Sequence, residues 1–199
     1  MTAAAFVGGA AVSIAEVDAR EESLRATRLA SALPRRGTSE GRQLRRWLTQ
    51  LLVTERVIAA EAAARGVTAD GSPTEQELLP DVTARMEIGS VAASVLSQPL
   101  ARALFATLTA EVDATDDDVA AYHARNPFRF AARRRWATGL VDGPRLDEVR
   151  SAVAEHLRSA ARRREFRRWL DERCAALVEL APGYEHPGDP RQPDNTHRH

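Results

Sequence analysis

The sequence predicts a mainly α-helical protein with a single helical domain, a small two-stranded β element and an extended proline-rich tail. Two apolar stripes at helical spacing predict the longest helices, one over 44–62 and one over 146–180. Four of the ten prolines follow residue 181, where they exclude a helix. We therefore expect one domain over 1–180 and a tail over 181–199.

Composition is that of an ordinary globular protein. Hydrophobic residues make up 44% of the 199 residues, which is enough to bury a core and excludes an intrinsically disordered chain. Cys174 is the single cysteine, so no internal disulfide can form and a reducing compartment is favoured. No apolar run approaches the roughly 18 residues that span a bilayer, and no basic residue of a secretory signal precedes Arg20. We therefore expect a cytoplasmic protein without a membrane partner.

Charge is unevenly distributed along a chain whose net charge is zero. Residues 125–173 carry a net charge of +7, whereas residues 1–124 carry −5. Such a basic segment can bind nucleic acid or acidic clients, or it can pair with the acidic half of its own chain. Overall neutrality favours the internal pairing, so nucleic acid is not an expected partner.

The N-terminal elements follow from glycine and capping signals. Residues 6–12 place Gly8 and Gly9 at the middle of a β-like segment, which predicts a tight hairpin. Ser13-Ile14-Ala15-Glu16 matches a capping box and begins a helix that we expect to end near residue 31.

Apolar periodicity and further caps predict the central helices. The stripe of the second helix, which ends at Gly66, consists of Leu44, Trp47, Leu48, Leu51, Leu52, Ile58 and Ala62. Thr74 and Thr115 each open a capping sequence before another helix. Between them we expect one helix near 86–96 and a second that starts at Pro99.

The C-terminal half is predicted to contain one strand and one long helix. Residues 134–141 fit an extended segment, and we expect this strand to pair with residues 6–12 and join the two ends of the domain. Gly143-Pro144 then turns the chain into a helix that runs to about residue 180.

Four features occur in a fixed order along the chain. They are the turn Val7-Gly8-Gly9, the helix LRRWLTQLLVTERVIAAEAAARG, the capped segment TDDDVAAYHARNPFRF and the basic, aromatic helix that begins LDEVRSAVAEH. This order resembles the chaperone module of the SurA and PrsA foldases, which carry a parvulin-type prolyl isomerase domain. The resemblance implies a SurA/trigger-factor-like helical module that binds unfolded or extended polypeptide and whose first and last segments pack together.

In the foldases, the isomerase domain lies between the capped segment and the final helix, and here it is absent. Thr138 stands where the foldases have a histidine, and only residues 142–145 separate Val141 from the final helix. No catalytic residue can therefore be transferred to this chain. The leading hypothesis is a non-catalytic, chaperone-like protein without a cofactor.

Four aromatic residues are the candidate peptide-binding residues. Tyr122, Phe128, Phe130 and Trp136 cluster within fifteen residues of sequence. They can line an apolar groove for an extended peptide, or they can form the core that joins a helix to a strand.

The segment GTSEG at 37–41 matches the G-x-S-x-G pattern of a nucleophile elbow. It makes Ser39 the alternative catalytic residue, for acyl transfer in a small enzyme of a biosynthetic pathway. The elbow needs a buried strand before the serine, and SALPRRG is not typical of one. The structural interpretation is that Ser39 or Thr38 caps the second helix.

Three of the five histidines, His186, His197 and His199, lie in the tail. Imidazole is a ligand of divalent transition metals, so the alternative cofactor is such an ion, bound by the tail of an accessory protein. The histidine spacing matches no zinc motif, and a solvated or partner-docking terminus is the other interpretation.

Overall fold

The computed structural model describes residues 2–131 and 143–186, which are mainly helical with a small antiparallel sheet. In chain order the elements are β1 (Ala3–Val7), β2 (Ala10–Ser13), α1 (Ile14–Arg25), α2 (Ser39–Arg65), α3 (Glu75–Leu78), α4 (Val82–Ile88), α5 (Ser90–Val95), α6 (Pro99–Leu108), α7 (Asp116–Arg125), α8 (Leu146–Leu177) and β3 (Val178–Leu180). No helix in these ranges is long and apolar enough to cross a membrane.

The predicted N-terminal hairpin is confirmed. β1 and β2 pair antiparallel around Gly8 and Gly9, whose φ angles are 55° and 82°. Both angles lie in the left-handed region, which glycine adopts without a steric penalty. The capping box of Ser13 and Glu16 then begins α1 as predicted.

The sheet has three strands rather than the predicted two, with β1 between β2 and β3. Val7 pairs with Val178 and Ala5 pairs with Leu180, so the first and last described elements are joined directly. The prediction that the long helix reaches residue 180 is wrong, because the backbone is extended from Val178 onward, where the free edge of β1 supplies its partners. The predicted strand over 134–141 lies outside the described residues.

Two other helix predictions differ from the structure. α1 ends at Arg25 rather than near residue 31. Just after Arg25, the hydroxyl of Thr27 donates to the Leu24 carbonyl and so competes with the next helical hydrogen bond. The helix expected near 86–96 is two helices, α4 and α5, which Gly89 separates at a φ of 87°.

Most of the apolar core lies between α2, α5, α6 and α8. Phe166 of α8 is fully buried, with its ring centroid 5.0 Å from that of Phe105 and 5.5 Å from that of Trp169. A second, smaller core joins α7 to the first half of α8 and is formed by Val119, Val149 and Val153. The chain thus packs two apolar clusters against different parts of one long helix.

The basic segment pairs with the acidic half of the chain, as the charge distribution predicts. Four ion pairs reach from α8 to earlier elements: Arg150–Asp116, Arg158–Asp113, Arg163–Glu87 and Arg173–Glu61. Most of them are partly exposed, so each adds little stability alone, but together they orient α8 on the body.

The start of the predicted tail is a turn. The Tyr184 amide donates to the Ala181 carbonyl over 3.0 Å, and the Tyr184 ring packs against the main core. These residues are therefore not extended, and residues 187–199 lie outside the described part of the chain.

Candidate functional site

A cleft of about 590 Å³ lies where α4, α7 and the middle of α8 meet. The small core holds α7 on one side of α8, and α4 packs on the other, so the surface between them is not filled. The side chains that line the cleft are mixed in character and include Asp81, Thr83, Glu87, Tyr122, Arg129, Glu155, His156, Arg163 and Arg164.

Tyr122 and His156 form the aromatic side of this cleft. The Tyr122 hydroxyl lies 3.1 Å from His156 Nε2, within hydrogen-bond distance. The Phe130 ring packs behind them, with its centroid 6.4 Å from Tyr122 and 5.8 Å from His156. Tyr122 lines the cleft, and both Tyr122 and Phe130 pack against the small core, so peptide binding by these rings stays a prediction.

Phe128 is not among the described residues that line the cleft. The Phe128 side chain is 43% exposed and lies beside Gly143. Trp136 lies outside the described residues.

His156 is held in its neutral form by its surroundings. Burial of the imidazole lowers the pKa of His156, and the neighbouring Arg129 guanidinium lowers it further. A neutral ring has one nitrogen that accepts a hydrogen bond, which is what the hydroxyl of Tyr122 requires. The pair can bind a polar group of a ligand. The Ser159 hydroxyl also lines the cleft, but it donates to Glu155 over 3.0 Å rather than to His156.

The chain leaves α7 and returns to α8 at nearly the same place. A Cβ atom on Gly143 would lie 2.5 Å from the Pro127 carbonyl oxygen, and His123 Nε2 lies 2.9 Å from the Pro144 carbonyl oxygen. Residues 127 and 143 are thus neighbours in space. The length of chain between them can change without moving either helix.

A second cavity of about 340 Å³ lies between α2, α5 and α8 and contains the single cysteine. Burial raises the pKa of the Cys174 thiol, although a hydrogen bond with Thr54 opposes this effect. The thiol is therefore protonated near neutral pH and is a poor nucleophile. Gln50 Nε2 is buried in the same region without a hydrogen-bond partner in the described chain, so bound water or a small polar group fits there.

Ser39 lies in the first turn of α2, and its neighbour Thr38 is the cap. The Thr38 hydroxyl accepts from the Gly41 amide over 3.1 Å. The residues before it form a turn with Gly37 at a φ of 79°, not the strand that a nucleophile elbow needs. Gly41 is required for another reason, because a Cβ there would approach the Arg35 carbonyl oxygen closer than 3.0 Å.

The metal alternative has no support among residues 2–131 and 143–186, where no group of three or more His, Cys, Asp or Glu side chains is arranged to hold an ion. His186 lines the second cavity beside Cys174 and Asp171. His197 and His199 lie outside the described residues.

Sequence reasoning missed His156 and Arg129 as cleft residues. Arg163 and Arg164 follow His156 by seven and eight positions, so all three residues lie near one face of α8. This spacing can be read from the sequence. What the sequence does not reveal is that α4 and α7 flank this face.

Comparison with known proteins gives one partial match. A family model described as a family of unknown function (DUF7158) matches residues 3–40, which cover β1, β2, α1 and the turn before α2. The chain has no significant match among curated proteins or solved structures.

Proposed function

We propose that this chain is a non-catalytic, cytoplasmic polypeptide-binding protein, related to the parvulin-type foldases but without their isomerase domain. Its clients are unfolded or extended polypeptides, and they bind in the cleft between α4, α7 and α8. The observation that carries the proposal is the pair of exposed apolar side chains on α4 next to that cleft.

Val82 and Met86 are one helical turn apart on α4 and are 70% and 75% exposed. Their immediate neighbours in sequence, Asp81, Thr83 and Glu87, line the cleft itself. Large apolar side chains this exposed and this close together favour contact with a partner. Methionine is flexible and polarisable, which suits clients of varied sequence.

The connection between α7 and α8 supports the relation to the foldases. In that family the isomerase domain is inserted between a capped helix and the final helix. Here the two ends of the corresponding connection, Pro127 and Gly143, are adjacent in space. A domain inserted at such a point leaves the helical module intact, and so does its loss.

The proposal is tested by titrating the full chain into fluorescently labelled, unrelated extended peptides and measuring anisotropy. We expect micromolar binding to many peptides, strongest for those rich in aromatic and aliphatic residues. The double variant Val82→Ser, Met86→Ser should weaken binding by about tenfold, because two apolar contacts are lost.

Leu29→Ser is the matched control. Leu29 is also a large exposed apolar residue, at 52%, but it lies between α1 and α2, and its neighbours in sequence do not line the cleft, as those of Val82 and Met86 do. The control should bind peptides like the wild type. Absence of binding to every peptide contradicts the proposed function, and equal losses in both variants contradict its location in the cleft.

A further inference from the structure

The cleft between α4, α7 and α8 contains four carboxylates, and all of them already have partners. On the α3–α4 side, Glu77 accepts from the amide of Thr74 over 2.6 Å and from its hydroxyl over 2.8 Å. Asp81 accepts from the Ala84 amide over 2.8 Å and caps α4. These two carboxylates are occupied by helix capping and are not free to bind a cation.

The two carboxylates nearer to α8 are also occupied. Glu87 accepts from Nε and Nη2 of Arg163 over 3.0 and 2.8 Å. Glu155 accepts from Arg158 over 2.6 Å and from the Ser159 hydroxyl over 3.0 Å. Each carboxylate of the cleft is therefore paired with a guanidinium group or accepts hydrogen bonds from backbone amides and hydroxyls.

Two guanidinium groups in the same cleft, unlike its carboxylates, have no side-chain partner among the described residues. Arg129 follows α7 and Arg164 lies on α8; both are exposed, and neither makes a side-chain hydrogen bond or ion pair with another described residue. They lie on different elements that flank the aromatic pair of Tyr122 and His156. The charged side chains of the cleft that have no described partner are therefore both positive, although the lining as a whole contains more carboxylates than arginines.

We propose that the cleft selects acidic polypeptide segments, in which two Asp or Glu side chains pair with Arg129 and Arg164. This inference rests on the proposed function and names the class of client. The apolar residues between the two acids would contact Tyr122 on α7 and the exposed Met86 on α4.

The same positive charge does not favour nucleic acid. A protein that binds a nucleic acid typically neutralises several phosphates along one face. Here two uncommitted guanidinium groups share the cleft with four carboxylates, which would repel a continuous phosphate backbone. A polypeptide with separated carboxylates matches this mixed lining better.

The test uses pairs of labelled twelve-residue peptides that have the same apolar residues but carry either Asp and Glu or the neutral Asn and Gln. The peptides of both sets have amidated C-termini, so that a terminal carboxylate contributes nothing. A third set adds a free C-terminus to the neutral peptides and measures how much that source of carboxylate contributes. We expect the full-length wild type to bind the acidic peptides about fivefold to tenfold more tightly at low salt, as two exposed ion pairs allow.

The double variant Arg129→Gln, Arg164→Gln should lose this preference, so that it binds the acidic and the neutral member of each pair with the same affinity. Arg168→Gln is the matched control, because Arg168 lies on the same helix outside the cleft and already pairs with Glu165 and Glu172. It should retain the full preference.

The possible outcomes separate the two proposals. If the wild type binds both members of each pair equally, the acidic selectivity is wrong and polypeptide binding stands. If the preference persists in the double variant, the assignment to Arg129 and Arg164 is wrong. If the neutral peptides with a free C-terminus bind as tightly as the acidic peptides, selection of acidic side chains is wrong. If no peptide binds, both the client class and the proposed function are wrong.

Discussion

Replacement of Gly41 by alanine tests whether the GTSEG segment is a helix-capping turn or a catalytic elbow. Within a helix this substitution usually stabilises a protein by about 0.5–1 kcal/mol, because alanine loses less backbone entropy on folding. Here the new Cβ would lie closer than 3.0 Å to the Arg35 carbonyl oxygen and 3.3 Å from the Arg35 carbonyl carbon. Backbone atoms cannot rotate away as a side chain does, so the turn must move.

The cost can be worked out from the hydrogen bonds that meet at this turn. The Arg35 carbonyl accepts from the Thr38 hydroxyl over 2.8 Å, and the same hydroxyl caps α2 through the Gly41 amide. Loss of the cap costs about 1 kcal/mol, and steric overlap in a packed site costs about 1–3 kcal/mol. After subtraction of the propensity gain, we expect the free energy of unfolding to fall by about 2 kcal/mol.

Urea unfolding followed by far-ultraviolet circular dichroism measures this difference, with an unchanged slope as the sign that only stability has changed. Ser39→Ala is the control and should cost less than about 0.5 kcal/mol, because Thr38 rather than Ser39 is the cap. A Gly41→Ala protein as stable as the wild type, or more stable, would refute the account of this turn. An activity that Ser39→Ala abolishes without loss of stability would revive the acyl-transfer alternative.

Three further predictions concern the interior. Burial raises the pKa of Glu21, but the guanidinium groups around it together outweigh burial and lower the pKa below 4.5. The stabilisation by Glu21 is therefore complete above that pH and is lost as the pH falls through the folded-state pKa. Glu21→Gln should lower the free energy of unfolding by about 2 kcal/mol at pH 7 and by less at pH 3 in urea titrations, and a difference independent of pH would argue against this account. Because burial raises the pKa of the Cys174 thiol, iodoacetamide should label the folded protein much more slowly than the urea-unfolded chain at pH 7, whereas equal rates would mean an accessible thiolate. Phe166→Ala should lower the free energy of unfolding by about 3–5 kcal/mol, and Phe6→Ala, at a side chain 39% exposed, by less than about 1 kcal/mol; similar losses would contradict the placement of the core.

Local signals in the sequence predict the elements well where the structure of each depends on a few neighbouring residues. The hairpin at Gly8-Gly9 and the caps at Ser13 and Thr115 are such cases, because a backbone angle or a side-chain oxygen three residues away determines the outcome. The end of α8 is different. Val178 leaves the helix at a position where β1, some 170 residues earlier, offers hydrogen bonds, and no local pattern records that partner.

The same distinction explains why only part of the candidate site could be predicted. Tyr122 is a candidate because aromatic residues cluster in sequence, whereas the proposed roles of Arg129 and Arg164 depend on the acids around them being already paired. Whether a charged side chain already has a partner depends on contacts between α3, α4, α7 and α8. Arg163, which precedes Arg164 in sequence, is buried and pairs with Glu87. These adjacent arginines therefore differ in burial and in pairing, which composition and spacing cannot separate.

The long helix α8 connects the cleft to the strand pair β1–β3, which joins the first and last described elements. α8 has 32 residues and is about 48 Å long, with the small core and the cleft along its first half and the main core and β3 towards its end. Pairing of β3 with β1 fixes the end of this helix against the N-terminal hairpin, so the cleft is held by contacts formed far from it in sequence. The two ends of the connection between α7 and α8, Pro127 and Gly143, are adjacent in space. The proposed loss of an isomerase domain between them would therefore leave the proposed cleft in place.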